Sequence, residues 1–163
     1  MDILYHAVSG IAITKSFGSN DMVPTAIAAT LPDILGILPF YALKLREAIV
    51  YPQATFIKTY TRLLLSNKFT NNTDATFYRN THSLVGAGIF TALMYFLFPE
   101  RWVIFSFAYL SHILIDIPTH EGQFATRLLY PFSAAHIDGA NWSTNPKLFL
   151  SFWLGLLLVM LFL

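Results

Sequence analysis

Apolar residues along the chain fall into five runs separated by short polar breaks. Ile3 to Phe17 is the first and ends at Gly18-Ser19-Asn20-Asp21, a good turn sequence. Met22 to Leu43 follows, with Pro32 and Pro39 inside it, so a helix there is expected to end or kink near the first proline. Leu84 to Phe98 is closed by Pro99-Glu100-Arg101, and Trp102 to Ile117 by Pro118. Leu148 to Leu163 is nearly free of polar residues. The runs hold 15 to 22 residues each, short to adequate for a hydrocarbon core of about 30 Å.

Between the second and third runs lies a more polar stretch, Lys44 to Thr81. Phe56, Tyr60, Leu63 and Leu64 repeat there at helical spacing, with Lys58, Thr59, Thr61 and Arg62 on the other face. That pattern suits a helix lying in the headgroup layer or packed on a protein surface. Asn67 to Asn80, rich in Asn and Thr, reads as loop. The pattern therefore predicts an all-α, polytopic transmembrane bundle of four or five helices. It comprises two helical hairpins, a C-terminal helix over 148–163 and an interfacial amphipathic helix within 44–81, all in one domain, 1–163.

Composition agrees. The chain is 163 residues long, 55% hydrophobic and 12% charged, against about 25% charged in soluble domains. The formal net charge of +1 gives no argument for nucleic acid as a partner. With no cysteine, disulfides and thiolate sites are excluded, and any metal site must use His and carboxylate. Asp2 and His6 stand where a cleavable signal would carry basic residues, so residues 1–20 are expected to be retained.

Ionisable residues inside these runs are costly and usually face a partner, a cavity or an ion. His112, Asp116 and His120 sit at i, i+4 and i+8, and residues four apart share a helix face. His6 lies 14 residues before Asn20 and Asp33 lies 13 after it; about the Pro99-Glu100 turn, His82 lies about 17 before and Asp116 about 16 after. Antiparallel hairpins with equal arms, roughly 20–26 Å long at 1.5 Å per residue, would bring His6, Asp33, His82, His112 and Asp116 together at one end of the bundle. Lys44, Arg46, Lys58, Arg62, Lys68, Arg79, Arg127 and Lys147 fall at that end, and only Lys15 and Arg101 at the other. The positive-inside tendency then puts the site near the cytoplasmic face, within reach of lipid head groups.

Imidazole plus carboxylate suits Zn²⁺, with Mn²⁺ or Fe²⁺ as alternatives. A bound ion would lower the pKa of its water from 15.7 to about 7, and two ions would suit a phosphoryl displacement, with Asp33 or Asp116 bridging. Glu121 or Asp138 could act as general acid or base. Thr81, Ser83 and Ser111 could orient the ligands, and Arg79 and Arg127 could bind a phosphate bidentately. No Gly-rich phosphate loop, Gly-x-Ser-x-Gly elbow or His-Glu-x-x-His occurs. Two other classes stay open: a metal or proton transporter, and a structural membrane subunit stabilised by a closed metal site.

Leu31-Pro-Asp33, Thr81-His-Ser83, Ser111-His-x-x-x-Asp116-x-x-Thr119-x-x-Gly122 and Leu129-Tyr-Pro-Phe-Ser133, with His6 near the start, resemble the YdjM-like family. These are bacterial inner-membrane proteins described as metal-dependent hydrolases, remotely similar to the zinc-dependent phospholipase C and nuclease superfamily. The resemblance spans residues 1 to about 135 and implies His6, Asp33, His82, His112 and Asp116 as metal ligands. It also implies hydrolysis of a phosphoester in a lipid or amphiphile. The chain departs from the family pattern at Leu35, where a second Asp is common, and ahead of Thr81, where Phe77-Tyr78-Arg79 offers no His. His120, Glu121, His136 and Asp138 are further polar groups at the same end that could replace missing ligands.

Overall fold

The computed structural model describes residues 1–50 and 72–163, with side chains described for 1–38 and 75–163. The described residues form six α-helices: α1 (Ile3–Ser16), α2 (Met22–Val50), α3 (Asn72–Thr81), α4 (Leu84–Leu97), α5 (Trp102–Thr119) and α6 (Pro146–Phe162). A 3₁₀ turn, Gly122–Phe124, follows α5, and no strand occurs among the described residues. The starts follow local chemistry. Asp2 accepts from the Tyr5 amide, Ser83 from Gly86 and Asn145 from Leu148, each satisfying a free N–H at a helix N-terminus.

α5 lies at the centre. Its inward face carries Phe105, Ala108, Tyr109, His112, Ile113, Asp116 and Thr119. The apolar part of that face packs with Ala28 and Ala29 of α2 and with Ala87 and Phe90 of α4. α1 meets α2 almost backbone to backbone: a Cβ on Gly10 would stand 2.8 Å from the Thr25 carbonyl oxygen and 2.9 Å from the Ala29 Cβ. α6 leans on α1 through Trp153, whose ring lies 5.4 Å from that of Tyr5. At the end where both hairpins turn, Arg101 Nη1 bonds Asp21 Oδ1 at 3.0 Å. The outward faces stay apolar, as at Ile89, Phe96, Phe107, Leu114 and Leu158.

Three expectations are corrected. α2 does not end near Pro32 but runs through Pro32 and Pro39 to Val50. Pro32 is fully buried, and packing by neighbouring helices tolerates a proline that would break an isolated helix. Residues 72–80, expected to be loop, belong to α3; Ala75 and Tyr78 are buried, and a Cβ on Gly36 of α2 would lie 3.2 Å from the Tyr78 ring. Tertiary packing there outweighs the weak helix propensity of Asn and Thr. Pro118 lies inside the last turn of α5 rather than beyond it. The expected amphipathic helix around Phe56 to Leu64 lies outside the described residues.

α5 is long and apolar enough to cross a membrane; Met22–Leu38, α4 and α6 are shorter apolar helices.

Candidate metal centre

Two histidines are fixed by backbone carbonyls. His112 Nδ1 lies 2.7 Å from the Ala29 carbonyl oxygen of α2. His82, just past the end of α3, has its Nδ1 2.9 Å from the Tyr78 carbonyl oxygen and 3.0 Å from Thr81 Oγ1, with its ring stacked on Tyr78 at 3.9 Å. A carbonyl only accepts, so each Nδ1 carries the proton, and in the neutral ring Nε2 presents a lone pair. Burial is the largest influence on His82 and lowers its pKa below 6.5, favouring the neutral ring. Burial, then the Asp116 and Asp33 carboxylates, push the Tyr78 phenol well above its ordinary value. Tyr109 anchors the same corner by donating to the Thr81 carbonyl at 2.7 Å.

Both Nε2 atoms point at one small volume. They stand 3.1 Å apart. His82 Nε2 is 3.3 Å from Asp33 Oδ1 and 3.6 Å from Asp116 Oδ2. His112 Nε2 is 3.6 Å from Asp33 Oδ1 and 3.2 Å from Asp116 Oδ2. A regular tetrahedron centred about 2.0–2.1 Å from each corner, the Zn–N or Zn–O bond length, has edges of roughly 3.3–3.4 Å. The five distances span that value. Three of the four side chains are at most 2% exposed; Asp33, at 23%, is the open corner.

Asp116 Oδ1 is well supplied: the Met1 amino group donates at 2.6 Å, and His6 Nε2 and His120 Nδ1 lie at 3.1 and 3.2 Å. Oδ2, by contrast, is buried with no hydrogen-bond partner. Four electron-pair donors thus converge with no proton assigned between the two imidazoles. A buried group left in that state costs about 1–3 kcal/mol, more when charged, and a cation in the centre removes the deficit. The residues fit a divalent ion.

The structure brings Asp33, His82, His112 and Asp116 into one group whose candidate ligand atoms lie within 4.8 Å of one another. His6 joins it differently, with Nε2 on the far oxygen of Asp116 and its ring stacked on His112 at 3.7 Å. His120 caps α5 and turns its ring to Asp116, at 3.2 Å. His136 pairs with Asp138 at 3.3 Å, both exposed, and Asp138 also accepts from the Gly122 amide. Glu121 is exposed at the start of the 3₁₀ turn. Among the described residues no hydrogen bond or ion pair ties Glu121, His136 or Asp138 to the cluster. Of the hydroxyls, Thr81 touches a candidate ligand; Ser83 caps α4, and Ser111 bonds the Ala108 carbonyl.

Sequence reasoning missed Tyr78, Tyr109, Thr119 and the Met1 amino group. Tyr109 had a signal, since it sits three residues before His112 on the same face of α5. Thr119 had the same one, three residues after Asp116. The carbonyls of Ala29 and Tyr78, which set the rings, carry no signal in residue type.

No curated protein and no solved structure matches the chain. The profile described as YdjM inner membrane protein matches residues 1–163. With that match over its whole length, the chain belongs to the YdjM inner membrane protein family.

Proposed function

We propose that this protein is a multi-pass inner-membrane hydrolase, dependent on a divalent metal, that cleaves a phosphoester in a lipid or amphiphile near the cytoplasmic face. The observation that supports it is the convergence of Asp33 Oδ1, His82 Nε2, His112 Nε2 and Asp116 Oδ2, with each imidazole nitrogen 3.1–3.6 Å from the other three atoms and one carboxylate oxygen unpartnered. When bound, Zn²⁺ (or Mn²⁺ or Fe²⁺) supplies Lewis-acid polarisation and water activation. The chain's own residues do the rest. Ala29 and Tyr78 hold the imidazoles in the ligating tautomer, and His6 and His120 hold Asp116 through its other oxygen. Asp33, the exposed corner, is where water and substrate reach the centre.

A second reading rests on the same count. Four protein ligands close a tetrahedral ion, as structural sites do, whereas catalytic zinc keeps a position open. Hydrolysis would need room for water beside the four residues, and Asp33, the most exposed of them, is the one that could give way.

The test is elemental analysis of the detergent-purified protein, together with release of phosphate or head group from phosphatidic acid, phosphatidylglycerol and phosphatidylethanolamine. Stoichiometric metal with turnover that Asp116→Ala abolishes supports the proposal. Stoichiometric metal without turnover selects the structural reading. Because the chain has no cysteine, single cysteines at Ser143 and Ser19 can be labelled from either side of the membrane to test the topology. Labelling of Ser143→Cys from the cytoplasm and of Ser19→Cys from the opposite side is expected.

A further inference from the structure

Two arginines in the segments flanking His82 form no ion pair among the described residues. Arg79 shares the inward face of α3 with Ala75, Tyr78 and His82, at the i, i+3, i+4, i+7 spacing of a packed stripe. It is half-buried, its Nε is sealed from solvent with no acceptor, and it forms no ion pair among the described residues. Arg127, in the segment after the 3₁₀ turn, is also half-buried with a sealed, unpartnered Nε. Its recorded bond is from Nη1 to the Ala134 carbonyl at 2.8 Å.

The two segments are fastened to each other around His82. The Leu84 amide donates to the Leu128 carbonyl at 2.9 Å, next to Arg127 in the chain. The Tyr78 ring, next to Arg79, meets the Phe124 ring edge-on at 5.4 Å while stacking on His82. Leaving even one sealed N–H without an acceptor is unfavourable, and a guanidinium adds a charge to compensate. Its planar fork matches the oxygens of phosphate, which accept two parallel N–H bonds.

We infer that Arg79 and Arg127 form an anion-binding cleft beside His82 that takes the phosphate group of a phosphoester ligand. The inference deepens the proposed hydrolytic reading and rests on it for the ligand class. The phosphate could belong to a lipid head group or to a soluble ester, and the two sources are separable.

The test uses full-length protein in detergent with EDTA present, so that binding is read without metal or turnover. The probes are inorganic phosphate, dioctanoyl phosphatidic acid and dioctanoyl phosphatidylcholine, followed by calorimetry or native mass spectrometry. The double variant Arg79→Gln/Arg127→Gln is expected to bind the phosphatidic acid at least tenfold more weakly than the wild type. Phosphatidylcholine, whose phosphate is paired with its own ammonium, should change far less. The Lys/Lys variant, which keeps the charge without the fork, should fall between them. It also serves if the Gln variant melts early. Phosphatidic acid binding much tighter than inorganic phosphate identifies a lipid head group; equal binding identifies a soluble ester. Unchanged affinity of a folded Gln variant for both anions overturns the cleft. Arginine-dependent binding in a protein that never hydrolyses any lipid would remove the enzymatic reading and leave the anion site intact.

Discussion

His82 Nε2 and His112 Nε2 face each other at 3.1 Å, and each ring has its Nδ1 tied to a backbone carbonyl. Two neutral imidazoles held this way repel unless a cation or an additional proton lies between them. The arrangement suits a cation between the rings, which leads to the following expectations.

Metal content should follow the four donors. Purified wild-type protein is expected to carry one divalent ion per chain at this group. His112→Ala and Asp116→Ala should retain less than about a tenth of it, since even a change in a residue that only orients a ligand costs 10–100-fold in affinity. Inductively coupled plasma mass spectrometry reads this directly, and full occupancy in Asp116→Ala would refute the assigned ligand set.

Chelation should soften the fold. With free metal at about 100 times Kd, binding adds roughly 2.7 kcal/mol, on the order of 5–10 °C in melting temperature for a chain of this size. A melting curve unmoved by EDTA in a protein shown to lose its metal would contradict this.

Acidification should release the ion, with a defined sign. Only the neutral ring ligates, and burial lowers His82 below its ordinary 6.5. Occupancy is therefore expected to fall on acidification, as protons compete with the ion for the imidazoles. A colorimetric chelator added during a pH titration follows the release; occupancy unmoved by acidification would argue against imidazole ligands.

Crowding α1 against α2 should damage the site from a distance. Gly10→Ala places a methyl within 2.9 Å of Ala26 Cα and of Ala29 Cβ, and overpacking of this kind costs about 1–3 kcal/mol. Because Ala29 supplies the carbonyl that orients His112, metal affinity should drop as well. Gly88→Ala, with nothing within 4 Å of the new methyl, is the control and should gain about 0.5–1 kcal/mol from helix propensity. Denaturant titration in detergent compares the two.

Tyr109→Phe should loosen His82 without removing a ligand. The hydroxyl donates to the Thr81 carbonyl at 2.7 Å, and the loss is expected to weaken metal binding about 10-fold or more while occupancy at saturation stays complete. A competition assay against a chelator separates affinity from stoichiometry.

Much of the centre was legible because it depends on period and length. His112 and Asp116 share a face of α5 by the 3.6-residue repeat, and equal hairpin arms place Asp33 and His82 at the same level. What stayed hidden depends on tertiary packing. Asn72–Thr81 has the composition of a loop and becomes helical because Ala75 and Tyr78 fill the surface beside Gly36. Pro32 reads as a break, yet helix α2 runs on, with Pro32 buried. The division of labour within Asp116, one oxygen held by His6 and His120 and the other facing the imidazoles, follows from rotamers that residue spacing does not determine.

The uneven exposure of the four donors bears on traffic through the protein. His82, His112 and Asp116 are sealed, and only Asp33 meets the outside, while Arg101 and Asp21 fasten the opposite end of the bundle. Under the hydrolytic reading, substrate and product would share the Asp33 edge, at the end of the bundle remote from the Arg101–Asp21 pair.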